Sequence, residues 1–271
     1  MRMTSLALAL CAGLAACAAP STLPEAAATG PDPALPAPDA RLIPTVNIAP
    51  ATGWPADAAP TPANGLAVTR FADGLQHPRW LHVLPNGDVL VAESNAPAGK
   101  SGVRGLRGAA MGVVMKRAGA AVPSADRISL LRDADGDGVA ELRTVFLDGL
   151  HSPFGMALVG QTLYVANADA IVSVPYADGA TRIDAAPRTL VQLPGKGAEL
   201  NHHWTKSLLA SPDGSRLYVG VGSNSNIAEN GLAAEAMRAA VLEVPIEAPV
   251  PRVFASGLRN PVGLAWGPGG G

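Results

Sequence analysis

One eight-residue phrase recurs along this chain and limits the folds open to it. Phe71-Ala72-Asp73-Gly74-Leu75-Gln76-His77-Pro78 returns as Phe146-Leu147-Asp148-Gly149-Leu150-His151-Ser152-Pro153, and again as Phe254-Ala255-Ser256-Gly257-Leu258-Arg259-Asn260-Pro261. A phrase repeated at such spacing marks a chain assembled from similar supersecondary units. The second interval, from Phe146 to Phe254, is wide enough for one more unit, which the sequence places near Val191-Gln192-Leu193-Pro194. A hairpin pattern follows each phrase: residues 80–84 and 89–92 flank the turn Pro85-Asn86-Gly87-Asp88, and residues 208–210 and 217–221 flank Ser211-Pro212-Asp213-Gly214. Residues 155–159 and 162–166 repeat it more loosely.

Units of roughly 40–50 residues holding several short strands are the pattern of β-propeller blades. A solenoid or a two-sheet sandwich is the rival, but a fixed phrase ahead of each hairpin fits blades better. The expected fold is therefore all-β. With 271 residues, 48% hydrophobic and a formal charge of −2, the chain has the composition of a globular protein, and nothing in that balance favours nucleic acid or an anionic membrane surface as a partner. Thirty glycines and twenty-five prolines suit many short strands joined by turns.

Residues 1–17 read as a secretion leader: Arg2 is followed by an apolar stretch over 6–16, too short to cross a bilayer as a permanent helix. Leu14-Ala15-Ala16-Cys17 resembles a bacterial lipobox, which makes Cys17 the expected lipidated residue and the chain a periplasmic or outer-membrane lipoprotein held to the membrane by lipid alone. The plainer alternative is an ordinary signal peptide cut near Ala19. Both cysteines, Cys11 and Cys17, lie in this leader, so the domain has neither disulfide nor thiol nucleophile. Residues 18–63, rich in Ala and Pro, read as a flexible tether, and 64–271 as the repeat domain.

Two stretches interrupt the repeats. Residues 96–122 form an insertion with Lys100, Arg104, Arg107, Lys116 and Arg117, in which Leu106 and residues 111–115 make one apolar helical side. It reads either as a cationic flap over the mouth of the domain or as a solvated segment packed on its rim. Asp133-Ala134-Asp135-Gly136-Asp137-Gly138 begins like a calcium loop, but the twelfth position, where a bidentate Glu belongs, is Thr144. A polar hairpin turn and a weak calcium site are both readings of it.

The residues suited to chemistry lie at the lead-ins of repeats, and such loops gather at one mouth of a radial β fold. Asn201-His202-His203-Trp204-Thr205 offers an imidazole base beside an aromatic wall. Arg259 offers a planar cationic fork, and Asn260, which Pro261 biases toward extended backbone, offers a donor and an acceptor. Neither a nucleophilic-serine motif nor a phosphate loop or dinucleotide fingerprint appears.

These phrases, with Leu131-Arg132-Asp133-Ala134-Asp135-Gly136-Asp137-Gly138, Leu209-Ala210-Ser211-Pro212-Asp213-Gly214-Ser215-Arg216-Leu217-Tyr218-Val219 and Val262-Gly263-Leu264-Ala265-Trp266, resemble the bacterial sugar dehydrogenases that use pyrroloquinoline quinone (PQQ), of the soluble glucose and sorbosone type. The resemblance runs from about Leu66 to the C-terminus. It implies a six-bladed β-propeller with PQQ and calcium at its mouth, oxidising an aldose or sorbosone-like sugar by hydride transfer to the quinone, with electrons passed on to an external acceptor. It implies His203 as the base, and Arg259 and Asn260 as contacts of the quinone oxygen where negative charge grows; His202 is left without a role. A glutamine of the glucose-oxidising members has no counterpart near Leu150-His151-Ser152, which draws the sequence toward the sorbosone type. The resemblance covers three blades and the start of a fourth, so the family's calcium loops fall beyond Gly271 and this chain alone is expected to be an inactive fragment. A metal-dependent sugar lactonase and a non-catalytic surface propeller binding a glycan or protein are the competing functions.

Overall fold

The computed structural model describes residues 24–27, 29–33, 48–55, 58–97, 105–195 and 202–268. The leader, including Cys17, and residue Asn201 lie outside them. Twelve strands make three four-stranded antiparallel meanders. The first holds β1 (Pro78–Val83), β2 (Val89–Glu93), β3 (Arg127–Arg132) and β4 (Leu142–Leu147). The second holds β5 (Met156–Val159), β6 (Thr162–Ala166), β7 (Ala170–Pro175) and β8 (Arg188–Gln192). The third holds β9 (Leu208–Ala210), β10 (Arg216–Val221), β11 (Ala240–Pro245) and β12 (Arg252–Ala255). Each is the strand–turn–strand pattern expected from the repeats, extended by two further strands.

The sheets stack face to face, as side-chain alternation on the middle one shows. Leu163, Val165, Val172 and Val174 pack with Leu90, Ile128, Leu130 and Phe146 of the first sheet, whereas Tyr164, Ala166 and Ile171 pack with Leu217, Val219 and Leu242 of the third. A sheet covered on both faces cannot keep a polar side. Hence β6 is apolar at every position after Thr162, and each fully buried Leu or Val contributes about 1.5–3 kcal/mol. The opening strands β1, β5 and β9 are neighbours in sequence order, β5 touching the other two.

The recurring phrase is the joint between sheets. Its glycine, Gly74, Gly149 or Gly257, sits at φ 64°, 67° or 77°, in the left-handed region that side chains avoid. Its leucine amide donates to the residue just ahead of the third strand of a sheet: Leu150 to Asp126 O at 3.1 Å and Leu258 to Ala239 O at 2.9 Å. Leu193 donates in the same way to Asp169 O at 2.7 Å, which identifies the expected fourth copy of the phrase. Pro does not always impose an extended backbone on the preceding residue here. His77 and Ser152, ahead of Pro78 and Pro153, stand at φ 50° and 46°, while Asn260 is not among the positive-φ residues.

Because every sheet is a meander, its connections sort to two ends. Hairpins β1–β2, β3–β4, β5–β6, β7–β8, β9–β10 and β11–β12 share one end. The lead-ins to β1, β5 and β9, the segment after β12 and the links β2–β3, β6–β7 and β10–β11 share the other. In the β2–β3 link the insertion folds into α1 (Gly105–Arg117). It docks through Arg117 O, which accepts from Ala51 N at 3.0 Å, and through Gly119 O, 3.0 Å from His77 Nε2. Met111, Val113 and Met115 of its expected apolar side are exposed. No helix among the described residues is long and apolar enough to cross a membrane.

Candidate functional site

His203 and Asn260, far apart in sequence, converge on Gly222, the residue after β10. A Cβ there would collide with His203 Cβ and would stand 2.5 Å from Asn260 Oδ1. Two residues back the same crowding recurs: a Cβ on Gly220 would meet Ser207 Oγ and stand 2.5 Å from Pro261 O. The Ser207 hydroxyl donates to that carbonyl at 3.1 Å, Gly220 N donates to Ser207 O at 3.0 Å, and Ser223 N donates to Arg259 O at 2.8 Å. Thus the two stretches singled out in the sequence flank the end of β10, and glycine is what lets them approach.

The loop beyond β10 holds both candidate side chains. The Nδ1 of His203 lies 2.9 Å from Ser223 O and 3.0 Å from Ser223 Oγ, whose own hydroxyl donates to Ser225 O at 2.7 Å. A carbonyl only accepts, so Nδ1 carries a proton, and in the neutral ring Nε2 then holds the lone pair. Arg259 donates from Nε to Asn226 O at 3.2 Å and from its fork to Asn226 Oδ1 at 2.9 Å. His203 is half-buried, whereas His202 and Arg259 are exposed.

An unusual share of unpaired polarity gathers at this end. The atoms Ser152 Oγ, Asn167 Oδ1, Ser225 Oγ, Glu235 Oε1, Arg238 Nη1 and Asn260 Oδ1 are the buried side-chain polar atoms without a partner among the described residues. All six belong to lead-ins or to the links at the His203 end. Each costs about 1–3 kcal/mol unless water or another group bonds to it. Aromatic rings floor the region: Trp80 and Phe154 lie 5.0 Å apart, Phe154 and Trp204 6.4 Å apart edge to face, and Arg79 sits 5.1 Å over the Trp204 ring.

Lys206 is a residue to which the sequence pattern assigns no role. It is fully buried, and its ammonium donates to Trp204 O at 3.0 Å and His203 O at 3.3 Å. Burial, reinforced by the charge of Arg238 and offset by Asp169, pulls its pKa from 10.5 down to about 7. Asp169 is itself paired with His151 Nδ1 at 3.0 Å. Burial likewise lowers Arg238, against the opposing charge of Glu235.

The acidic run lies at the opposite end, in the β3–β4 hairpin. Oxygens of Asp133, Asp135, Asp137 and Glu141 all fall within 4.8 Å of one another. Glu141, not Thr144, supplies the fourth carboxylate; the Thr144 hydroxyl donates to Thr181 O at 2.7 Å. A set of hard oxygen donors suits calcium, but it stands apart from the His203 end.

A family model described as a domain of unknown function, DUF7133, matches residues 109–266. The chain belongs to that family. In fold, the DUF7133 chain is similar to the holo PQQ domain of a pyranose dehydrogenase from Coprinopsis cinerea, at 21% identity and a TM-score of 0.56 over 78% of this chain and 47% of that one. It is also similar to the calcium structure of a Trichoderma reesei carbohydrate-active enzyme of family AA12, at 19% identity and a TM-score of 0.54, covering 76% of this chain and 46% of that one. Those likenesses concern the fold, and the DUF7133 chain spans about half the length of each. No curated protein matches the sequence.

Proposed function

We propose that this chain is the His203-bearing part of a six-bladed, PQQ-dependent dehydrogenase acting on an aldose or sorbosone-like sugar, exported to the cell envelope and anchored through Cys17. The observation that carries the reading is the pairing across Gly222: an imidazole whose Nδ1–H is committed to Ser223, beside a buried Asn260 amide oxygen that accepts nothing. PQQ is rich in acceptor oxygens, so its holders on this chain would be the donors of the Arg259 fork and of the Asn260 amide nitrogen, with Asn260 Oδ1 left to accept from a donor. When bound, PQQ supplies the acceptor for hydride. His203 Nε2 takes the sugar hydroxyl proton, because Ser223 fixes the ring with that nitrogen's lone pair outward. Arg259, anchored on Asn226, keeps a fixed positive charge where oxygen gains negative charge. Trp204 and Phe154 present apolar surface that excludes water.

Calcium would take the Asp133–Glu141 carboxylates as a structural ion in this reading. A metal-dependent lactonase would need such a carboxylate set at the mouth; among the described residues it converges in the hairpins instead.

The test is sugar-dependent dye reduction after loading the full-length protein with PQQ, together with an absorbance titration of PQQ binding. His203→Ala should abolish turnover and leave binding intact, and Asn260→Ala should weaken binding. Wild-type turnover retained by His203→Ala would overturn the assignment.

A further inference from the structure

The turn carrying His203 is tied down from one side by a charge that nothing in the reaction requires to be there. Around Lys206 the backbone is fixed to both neighbouring sheets: Lys206 O accepts from Gly155 N at 3.0 Å, and Ser207 O accepts from Gly220 N at 3.0 Å. Gly155 has no room for a side chain, since a Cβ would stand 2.7 Å from Lys206 O and 2.8 Å from Leu208 Cβ. From this fixed post the side chain folds back toward the preceding turn, where Nζ reaches the carbonyls of His203 and Trp204. We propose that Lys206 is a positioning residue for His203: its buried amine, donating to the carbonyls of residues 203 and 204, clamps that stretch of backbone.

A charged donor makes the stronger hydrogen bonds, but burial costs the ammonium more than these two bonds return, and the pKa falls. Among the described residues, Arg238 at the end of the β10–β11 link disfavours the ammonium, Asp169 in the β6–β7 link favours it, and His151 from the lead-in to β5 shares Asp169. The pKa of about 7 that results puts the change of state within the working range of an extracytoplasmic protein. Opening of the turn would return Lys206 to water and to its ordinary pKa, so the closed clamp gains on the open one as pH rises from about 7 toward 10.5.

This inference rests on the dehydrogenase reading for what the clamp serves, but the clamp itself is measurable without turnover. Hydrogen exchange over residues 203–207 of the full-length protein, corrected for intrinsic rates, should show protection that rises at least tenfold from pH 6 to pH 9. Lys206→Met, which keeps the stem, should exchange about tenfold faster than wild type at pH 9; Lys206→Gln, which keeps donors but cannot ionise, should show no pH step. A wild type without that step, or a Lys206→Gln variant with the same step, would overturn the proposal. If Lys206→Met does not fold, the wild type and Lys206→Gln decide it. In the PQQ-loaded enzyme at pH 9, loosening of the base should lower kcat about 10- to 100-fold in Lys206→Gln and leave KM within threefold. An inert wild type refutes the dehydrogenase reading and leaves the exchange data to judge the clamp.

Discussion

Gly222→Ala is the sharpest single test of the convergence at the end of β10. The added methyl would stand 2.5 Å from Asn260 Oδ1 and 3.1 Å from His203 Cγ, and would overlap His203 Cβ. Ordinary contact begins near 3.4 Å, so the Asn260 oxygen alone must recede by about 0.9 Å. The loop cannot yield freely, because Ser223 N is bonded to Arg259 O and the His203 ring to Ser223. Overpacking of this kind costs about 1–3 kcal/mol. A displacement of about 1 Å between a base and its substrate costs on the order of 10²-fold in rate. Gly263→Ala is the control, since nothing lies within 4 Å of its Cβ position and its φ is not positive. Urea unfolding should place Gly263→Ala within about 0.5 kcal/mol of wild type and Gly222→Ala at least 1 kcal/mol below it. Equal stability of the two variants would show that the two stretches do not close on Gly222.

Three further outcomes are expected. The buried Glu93 carboxyl is pushed up by desolvation but held below its ordinary 4.5 overall by the donors Arg127, Ser129 and Gln76 N, so its stabilisation is present above about pH 4.5 and lost as pH falls further; Glu93→Gln should cost about 2–3 kcal/mol at pH 7 and flatten the acid limb of urea midpoints. Between pH 7 and 10.5 the unfolded chain holds a proton on Lys206 that the folded one has released, so stability should rise with pH there by up to about 1.4 kcal/mol per unit; equal slopes for wild type and Lys206→Met would refute this. Millimolar calcium should raise Tm by a few degrees, reversibly with chelator, and Asp135→Asn with Asp137→Asn should remove the response.

The sheets were legible because strand and turn signals are local. Alternation plus Asn86-Gly87 or Asp213-Gly214 suffices to place β1–β2 and β9–β10, and the repeated phrase announces each joint through a glycine that must be left-handed. His203, Arg259 and Asn260 were legible as lead-in residues at one end, for the same reason. Their setting was not. Gly222 reads like any of thirty glycines until β10 brings it between two distant loops, and nothing local to Lys206 tells that Gly155 will press on its carbonyl while Gly220 closes on Ser207 beside it. The role of Ser223 in fixing the imidazole, and of Glu141 in completing the acidic hairpin, likewise depend on contacts made only after folding.

The double covering of the middle sheet sets an order of events during synthesis. The first sheet is complete in sequence at Leu147, yet its inward face meets Leu163, Val165 and Val174 only after another 27 residues, to Val174, have left the ribosome. Until then Leu90, Ile128 and Phe146 are wet. Whatever shields nascent chains in the cell has this interval as its clearest target, and substitutions in β6 strike both seams of the protein at once.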